Sequence, residues 1–113
     1  MSLKKKVLFI CTGNACRSQI AHGLLNELAN SDFEVFSAGS HPSKVHPISI
    51  AVMKEIGIDI SKHTSDHIND YLYKGIDIVI TVCDNANNVC PTFPENVKRI
   101  HWSIDDPFRN WNF

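Results

Sequence analysis

Eight residues near the start of the chain, CTGNACRS from Cys11 to Ser18, put a thiol, a guanidinium and a hydroxyl within one short segment. Five residues separate Cys11 from Arg17, and the segment leads from a strand-like run into a helix-like one. A loop in that position can wrap backbone N–H groups around a tetrahedral oxyanion. Gly13 allows a tight turn, and Asn14 tolerates the left-handed conformations such a cradle needs. A Cys11 thiol inside the ring faces a helix N-terminus and the Arg17 guanidinium, which both favour the thiolate. Ser18 can give that sulfur a further hydrogen bond. Arg17, planar and always charged, can hold two oxygens of a bound anion at once. The oxyanion-binding set is therefore Thr12, Gly13, Asn14, Ala15, Cys16, Arg17 and Ser18, around a nucleophilic Cys11.

A second group lies in TVCDNANNVCP, where Cys83 and Cys90 stand seven positions apart. Zinc clips more often pair cysteines two to four residues apart, with a second pair or histidines to complete the set. His63 and His67 have i,i+4 spacing, which a short helical face explains equally well. Inert buried thiols are a second reading, since cysteine often serves packing alone. An electron relay with Cys11 is the third. The segment between them, DNANNV, is polar and suited to a mobile loop. Cys16 reads as a packing residue, open to off-path oxidation. Asp106 precedes Pro107, a pairing common in turns.

The elements that must position these groups follow from hydrophobic period. KKKVLFIC reads as a strand, and QIAHGLLNELAN as a helix with Ile20, Ala21, Leu24, Leu25 and Leu28 on one face. EVFSAG is a second strand. Pro47 suits the first turn of a helix over ISIAVMKEIG, which Gly57 stops. TSDHINDYLYKG predicts a shorter helix. IDIVITVC is a strand buried on both faces, and NVKRIHW a fourth strand before the SIDDPFRN loop. The alternation predicts a parallel sheet with helices on both faces, with ligands outside the carboxyl ends of the strands. Cys11, Cys83 and the Asp105-Asp106-Pro107 loop all follow strand ends, so they can meet on one rim.

The 113 residues predict a single domain, residues 1–113. The 43% hydrophobic and 20% charged fractions are those of an ordinary globular protein. A net charge of −1 gives no reason to expect a nucleic-acid partner. VLFIC is too short for a secretory h-region and no run could span a bilayer, which excludes a membrane role and predicts a cytoplasmic chain. Structural disulfides are uncommon in that compartment, so the four cysteines are expected to be free, metal-bound or catalytic.

CTGNACRS followed by Gln19-Ile20-Ala21 resembles the anion loop of the low-molecular-weight tyrosine phosphatase superfamily, and within it the thioredoxin-coupled arsenate reductases. SAG at 37–39, IDISKHTSD at 58–66 and HWSIDDP at 101–107 extend the likeness from about Val7 to Pro107. Thr12 and Gln19 favour the reductase branch. The resemblance implies a flavodoxin-like α/β fold with a four-stranded parallel sheet in the order 2-1-3-4. It also implies reduction of arsenate to arsenite by a Cys11–Cys83–Cys90 thiol relay, with no tightly bound cofactor and with thioredoxin as external reductant. Asp106 matches the superfamily's general acid, a role worth typically ~10²–10⁴-fold in rate; Asp105 is the less favoured of the two. Asn14, Ser37 and Asp66 match residues of a potassium site. The remaining ligand there is a glutamate, and His22 stands in its place, although an alkali cation wants oxygen ligands.

Relatives continue past DDP into a final helix, whereas this chain ends at NWNF; the resulting apolar surface predicts a monomer able to self-associate through that end. The alternative function is a phosphomonoesterase acting on phosphotyrosine through Cys11, Arg17 and Asp106. A third is a non-catalytic oxyanion-binding or redox-sensing module.

Overall fold

The computed structural model of the chain describes residues 4–90, 93 and 97–104. Within them strands β1 (Lys5–Cys11), β2 (Phe33–Gly39), β3 (Ile78–Thr81) and β4 (Lys98–His101) form one sheet. All its pairings are parallel, in the expected order β2-β1-β3-β4. Helices α1 (Arg17–Ala29), α2 (Pro47–Glu55) and α3 (Asp84–Val89) and a 3₁₀ turn at Ile68–Tyr71 lie in the connections. No helix among the described residues is long and apolar enough to cross a membrane. The loop holding Asp105, Asp106 and Pro107, together with Trp111 and Phe113, lies outside the described residues.

Strand β1 reads as an unbroken apolar run because both of its faces are covered. Val7, Leu8, Phe9 and Ile10 are each no more than 2% exposed. On one face α1 packs against β1 and β2. Gly23 lets α1 lie close against α2 and the segment that follows it: a Cβ there would stand 2.8 Å from Ile60 and 3.0 Å from Met53. On the other face Phe36 meets the ring of Tyr71 at 5.4 Å, with Ile68, Ala86 and Phe93 completing the core.

Two local expectations change. The stretch 64–75 is not a helix: it holds only the 3₁₀ turn. Residues 64–67 run extended instead, because the Gly39 N–H donates to the Asp66 carbonyl at 2.8 Å and Gly39 bridges to His67. Tertiary pairing with the end of β2 thus competes successfully with local helix formation. Second, DNANNV is helical, forming α3, with Cys83 as its N-cap. Leu28 shares one side of α1 with Ile20, Ala21, Leu24 and Leu25, as expected, and is 80% exposed. It lies on the rim of an open apolar groove of about 750 Å³, floored by Val7, Phe9 and Ile80 and flanked by Trp102 and Ile104.

Candidate active site

The parallel register brings the two thiol-bearing strand ends side by side. Ile10 pairs with Thr81, and the Val82 N–H donates to the Ile10 carbonyl at 2.8 Å. Neighbouring strands lie about 4.8 Å apart, so Cys11 and Cys83 leave the sheet next to each other at its carboxyl edge. Both are buried, at 3% and 4% exposure.

Between Cys11 and α1 the loop is pulled outward by its carbonyls. The Thr12 carbonyl accepts from the His41 N–H at 2.8 Å, and the Gly13 carbonyl from the Ser43 N–H at 3.1 Å and Ser65 Oγ at 3.0 Å. The Asn14 carbonyl takes the Gln19 amide at 3.0 Å. The Ala15 carbonyl takes the His46 N–H at 2.9 Å and Ser49 Oγ at 3.2 Å. In a trans peptide the C=O of one residue and the N–H of the next point opposite ways. Four outward carbonyls therefore turn the N–H groups of Gly13, Asn14, Ala15 and Cys16 into the ring. Cys16, the N-cap of α1, supplies no side-chain hydrogen bond to the helix. The first-turn N–H groups of a helix have no partner within it, and these are added to the same concave face. The result is an anion nest at a helix N-terminus.

Asn14 has φ of +46°, the left-handed conformation expected of it. Its buried side chain braces the ring twice: Oδ1 accepts the Asp66 N–H at 2.9 Å, and Nδ2 donates to Ser18 Oγ at 2.7 Å. Because Ser18 Oγ accepts from Asn14, its own hydrogen is free for the Cys11 sulfur, 2.9 Å away. Gly39 is required by closeness. A Cβ there would lie 2.5 Å from the Thr12 carbonyl oxygen and 2.9 Å from the Asn14 nitrogen.

Arg17 Nη1 donates to the Ile104 carbonyl at 2.9 Å, tying the start of α1 to the chain beyond β4. That bond uses Nη1 alone, which leaves the Nε and Nη2 edge of the guanidinium for the oxyanion that the resemblance implies. Cys16 is half-buried and lines the apolar groove, in keeping with packing.

Cys83 joins the loop through Thr12, whose Oγ1 is 3.4 Å from its sulfur. The same sulfur accepts the Ala86 N–H at 3.4 Å, so it caps α3. Asp84, in the first turn of α3, is held from outside by His101 Nε2 at 2.9 Å and Ser103 Oγ at 3.0 Å. Cys90 ends the helix, half-buried, and burial pushes its thiol pKa up against the opposing charge of Arg99. Seven residues of helix advance about 10 Å, whereas a disulfide needs Cα atoms about 4.4–6.8 Å apart. Cys83 and Cys90 can bond only if α3 unwinds. Its run of asparagines, poor helix formers, makes unwinding easy.

His63 Nδ1 bonds Gln19, while His67 Nδ1 accepts the Asn69 N–H at 3.0 Å and caps the 3₁₀ turn, so both rings have a place in the scaffold. No cluster of three His, Cys, Asp or Glu suited to a metal occurs among the described residues. The oxygens assigned to potassium are already engaged. Ser37 Oγ meets His22 Nδ1 at 2.9 Å, Asn14 Oδ1 takes the Asp66 N–H, and the Asp66 carboxylate accepts Thr64 Oγ1 at 3.0 Å and Tyr71 OH at 3.1 Å. With an imidazole as the fourth member, this donor set does not fit an alkali cation.

Sequence reasoning missed the part played by Gln19. Fully buried, it donates through Nε2 to the carbonyls of Asn14 and Thr64, and its Oε1 accepts from His63 Nδ1 at 3.0 Å. A polar residue beside the apolar face of α1 was the available signal. For Ser43 and Ser65, lone serines in loops, no signal existed.

The family model described as low molecular weight phosphotyrosine protein phosphatase matches residues 6–112. The arsenate reductase of Staphylococcus xylosus is 49% identical over 104 residues, covering 92% of this chain and 79% of its own. The solved thioredoxin-dependent arsenate reductase of Corynebacterium glutamicum superposes with a TM-score of 0.80 at 38% identity, covering 93% of this chain and 52% of that one. An arsenate reductase solved in an oxidized state gives a TM-score of 0.83 at 37% identity, over 95% of this chain and 82% of that chain. The outward-turned anion loop and the paired thiols at the sheet edge therefore have a lineage: the chain belongs to the arsenate reductases of the low-molecular-weight phosphotyrosine protein phosphatase family.

Proposed function

We propose that this protein reduces arsenate to arsenite, and that the electrons pass through Cys11, Cys83 and Cys90 in turn. The observation that carries the reading is Cys83, buried at the edge of the anion loop with its sulfur 3.4 Å from Thr12 Oγ1, at the head of a short helix that ends in a further thiol.

Arsenate enters the nest of N–H groups, where Arg17 complements its charge. The Cys11 thiolate, steadied by the Ser18 hydroxyl, attacks arsenic. An S–As bond forms and one oxygen leaves as water, with Asp106 as the proton donor implied by the resemblance. The Cys83 thiolate then attacks the Cys11 sulfur. The S–As bond breaks, its electron pair stays with arsenic, and arsenite departs, leaving a Cys11–Cys83 disulfide. Unwinding of α3 delivers Cys90, whose thiolate attacks Cys83 and frees Cys11. A dithiol protein of the thioredoxin class reduces the Cys83–Cys90 disulfide and returns the two electrons. Such a cycle belongs in the cytoplasm, where thiols are kept reduced.

The test couples this protein and arsenate to thioredoxin, thioredoxin reductase and NADPH. Arsenate-dependent NADPH consumption, abolished by Cys83→Ser, is the expected result. Aryl phosphate hydrolysis without arsenate-dependent turnover would favour the second reading, a phosphomonoesterase. The family match and the Cys11–Ser18 contact keep that reading in view, because it needs only the loop and an acid.

A further inference from the structure

Behind the anion loop, on the side away from Cys83, the imidazoles of His22 and His63 lie stacked with ring centroids 4.2 Å apart and planes at 25°. His22 comes from α1, and His63 from the segment between α2 and the 3₁₀ turn. Each ring continues into the scaffold of the loop. His22 Nδ1 meets Ser37 Oγ of β2 at 2.9 Å, and His63 Nδ1 meets Gln19 Oε1 at 3.0 Å. Gln19 then donates to the Asn14 carbonyl, and Asn14 to Ser18, which touches the Cys11 sulfur. One continuous chain of contacts thus joins β2, the His22–His63 stack, α1 and the nucleophile.

Potassium would have to bind among these same groups. Among the described residues no buried side-chain nitrogen or oxygen lacks a partner, so no orphaned acceptor calls for a cation. The charged or titratable groups around the stack are few. Asp66 lies on the 58–66 side with its carboxylate bonded to Thr64 and Tyr71, and Asp59 lies near His63. Burial lowers the pKa of both histidines, that of His22 to about 4. Two neutral rings can stack where two cations would repel.

We propose that in this protein the stacked His22–His63 pair braces the anion loop in place of a potassium ion, so that the loop is assembled without any alkali cation. The pair acts as a positioning element: neither ring touches the substrate site, and both act through Gln19, Ser37 and Asn14. The inference deepens the reading of residues 11–18 as an oxyanion cradle and rests on it.

The test measures thermal unfolding of the full chain in potassium chloride and in tetramethylammonium chloride at equal ionic strength, with and without inorganic phosphate. For the wild type, the same Tm in both salts and a phosphate affinity that changes less than about twofold are expected. The His22→Glu variant restores a carboxylate to the oxygen set. In it potassium should raise Tm by a few degrees and tighten phosphate binding. A wild type whose Tm or phosphate affinity rises with potassium overturns the proposal. So does a folded His22→Glu protein that remains indifferent to potassium. Should that variant fail to fold in either salt, His22→Gln, lacking both ring and charge, takes its place. A lower Tm that potassium does not restore is then expected, and recovery by potassium counts against the pair. Phosphate that stabilises the protein in neither salt speaks against the cradle itself, and the phosphate-free comparison still decides the question of potassium.

Discussion

Ser18 illustrates how much depends on a single hydroxyl. It accepts from Asn14 and is left to donate to the Cys11 sulfur. In the proposed mechanism Ser18→Ala removes the hydrogen bond that steadies the attacking Cys11 thiolate, worth about 1.5–3 kcal/mol, and should slow the attack on arsenic about ten- to a hundredfold. Rapid-mixing measurement of the first arsenite released per enzyme checks this, because it covers the attack on arsenic and the Cys83 step but not the later exchange through Cys90. Gly39→Ala presses a methyl group against the Thr12 carbonyl at 2.5 Å. It should cost about 1–3 kcal/mol by denaturant unfolding and weaken phosphate binding at the same time. His22 predicts a pH dependence. Its pKa falls from 6.5 in the unfolded chain to about 4 in the fold, chiefly through burial. The unfolded state therefore takes up the proton first, so this contribution is fully present above pH 6.5 and is lost as pH falls towards 4. The loss amounts to about 3 kcal/mol, and His22→Gln should flatten the slope of stability against pH across that window.

At the scale of elements, α3 joins structure to turnover. It spans only six residues, and its first turn is held by the capping sulfur of Cys83 and by the Asp84–His101 clasp. Asp84 is largely exposed, so the pair is a weak one, about 0.2–1 kcal/mol. Asp84→Ala removes the clasp together with the acidic residue that favours the helix N-terminus. Backbone amides of α3 should then exchange about three- to fivefold faster, and the Cys83–Cys90 disulfide should form faster while the rate of arsenite release in the first turnover is unchanged. Hydrogen exchange followed by mass spectrometry, with trapping of the disulfide, separates the two. Equal exchange in wild type and variant would mean that the clasp does not hold α3. The helix itself was hidden in the sequence, since Asn-rich DNANNV has weak propensity. What forms it is a cap and a clasp supplied by residues outside it, His101 being seventeen positions from Asp84.

At the scale of the whole molecule, an open apolar groove runs beside α1 among the described residues. Leu28 and Trp102 are 80% and 50% exposed at its edge. Leu28→Lys should leave Tm within about 2 °C, since substitutions at exposed sites usually change stability by less than about 0.5 kcal/mol, and should reduce binding of a hydrophobic dye. Thermal unfolding and dye titration on the same samples check both halves. The helical period of QIAHGLLNELAN correctly places Leu24, Leu25 and Leu28 on one apolar side, all of them lining the groove. Period alone could not say that the sheet beneath α1 would leave this side partly open.

The contrast runs through the entire chain. By itself the sequence determined the strand-loop-helix carrying Cys11 to Ser18, a parallel sheet with helices on both faces and the thiols available for a relay, while the strand order came from the family resemblance. These follow from local rules: alternation of apolar runs, a glycine and an asparagine where the backbone must turn sharply, and the right-handed crossover of parallel strands. Only the tertiary structure decided which carbonyls turn outward to make the nest, and that residues 64–67 lie extended along the end of β2. It also decided that His22 of α1 stacks on His63, forty-one positions away in sequence. Each of those outcomes depends on partners many residues away, as with Asp66 and Asn14, fifty-two positions apart. A hydrogen bond at that separation leaves no trace in local propensity, because its geometry exists only once the sheet has brought the two segments together.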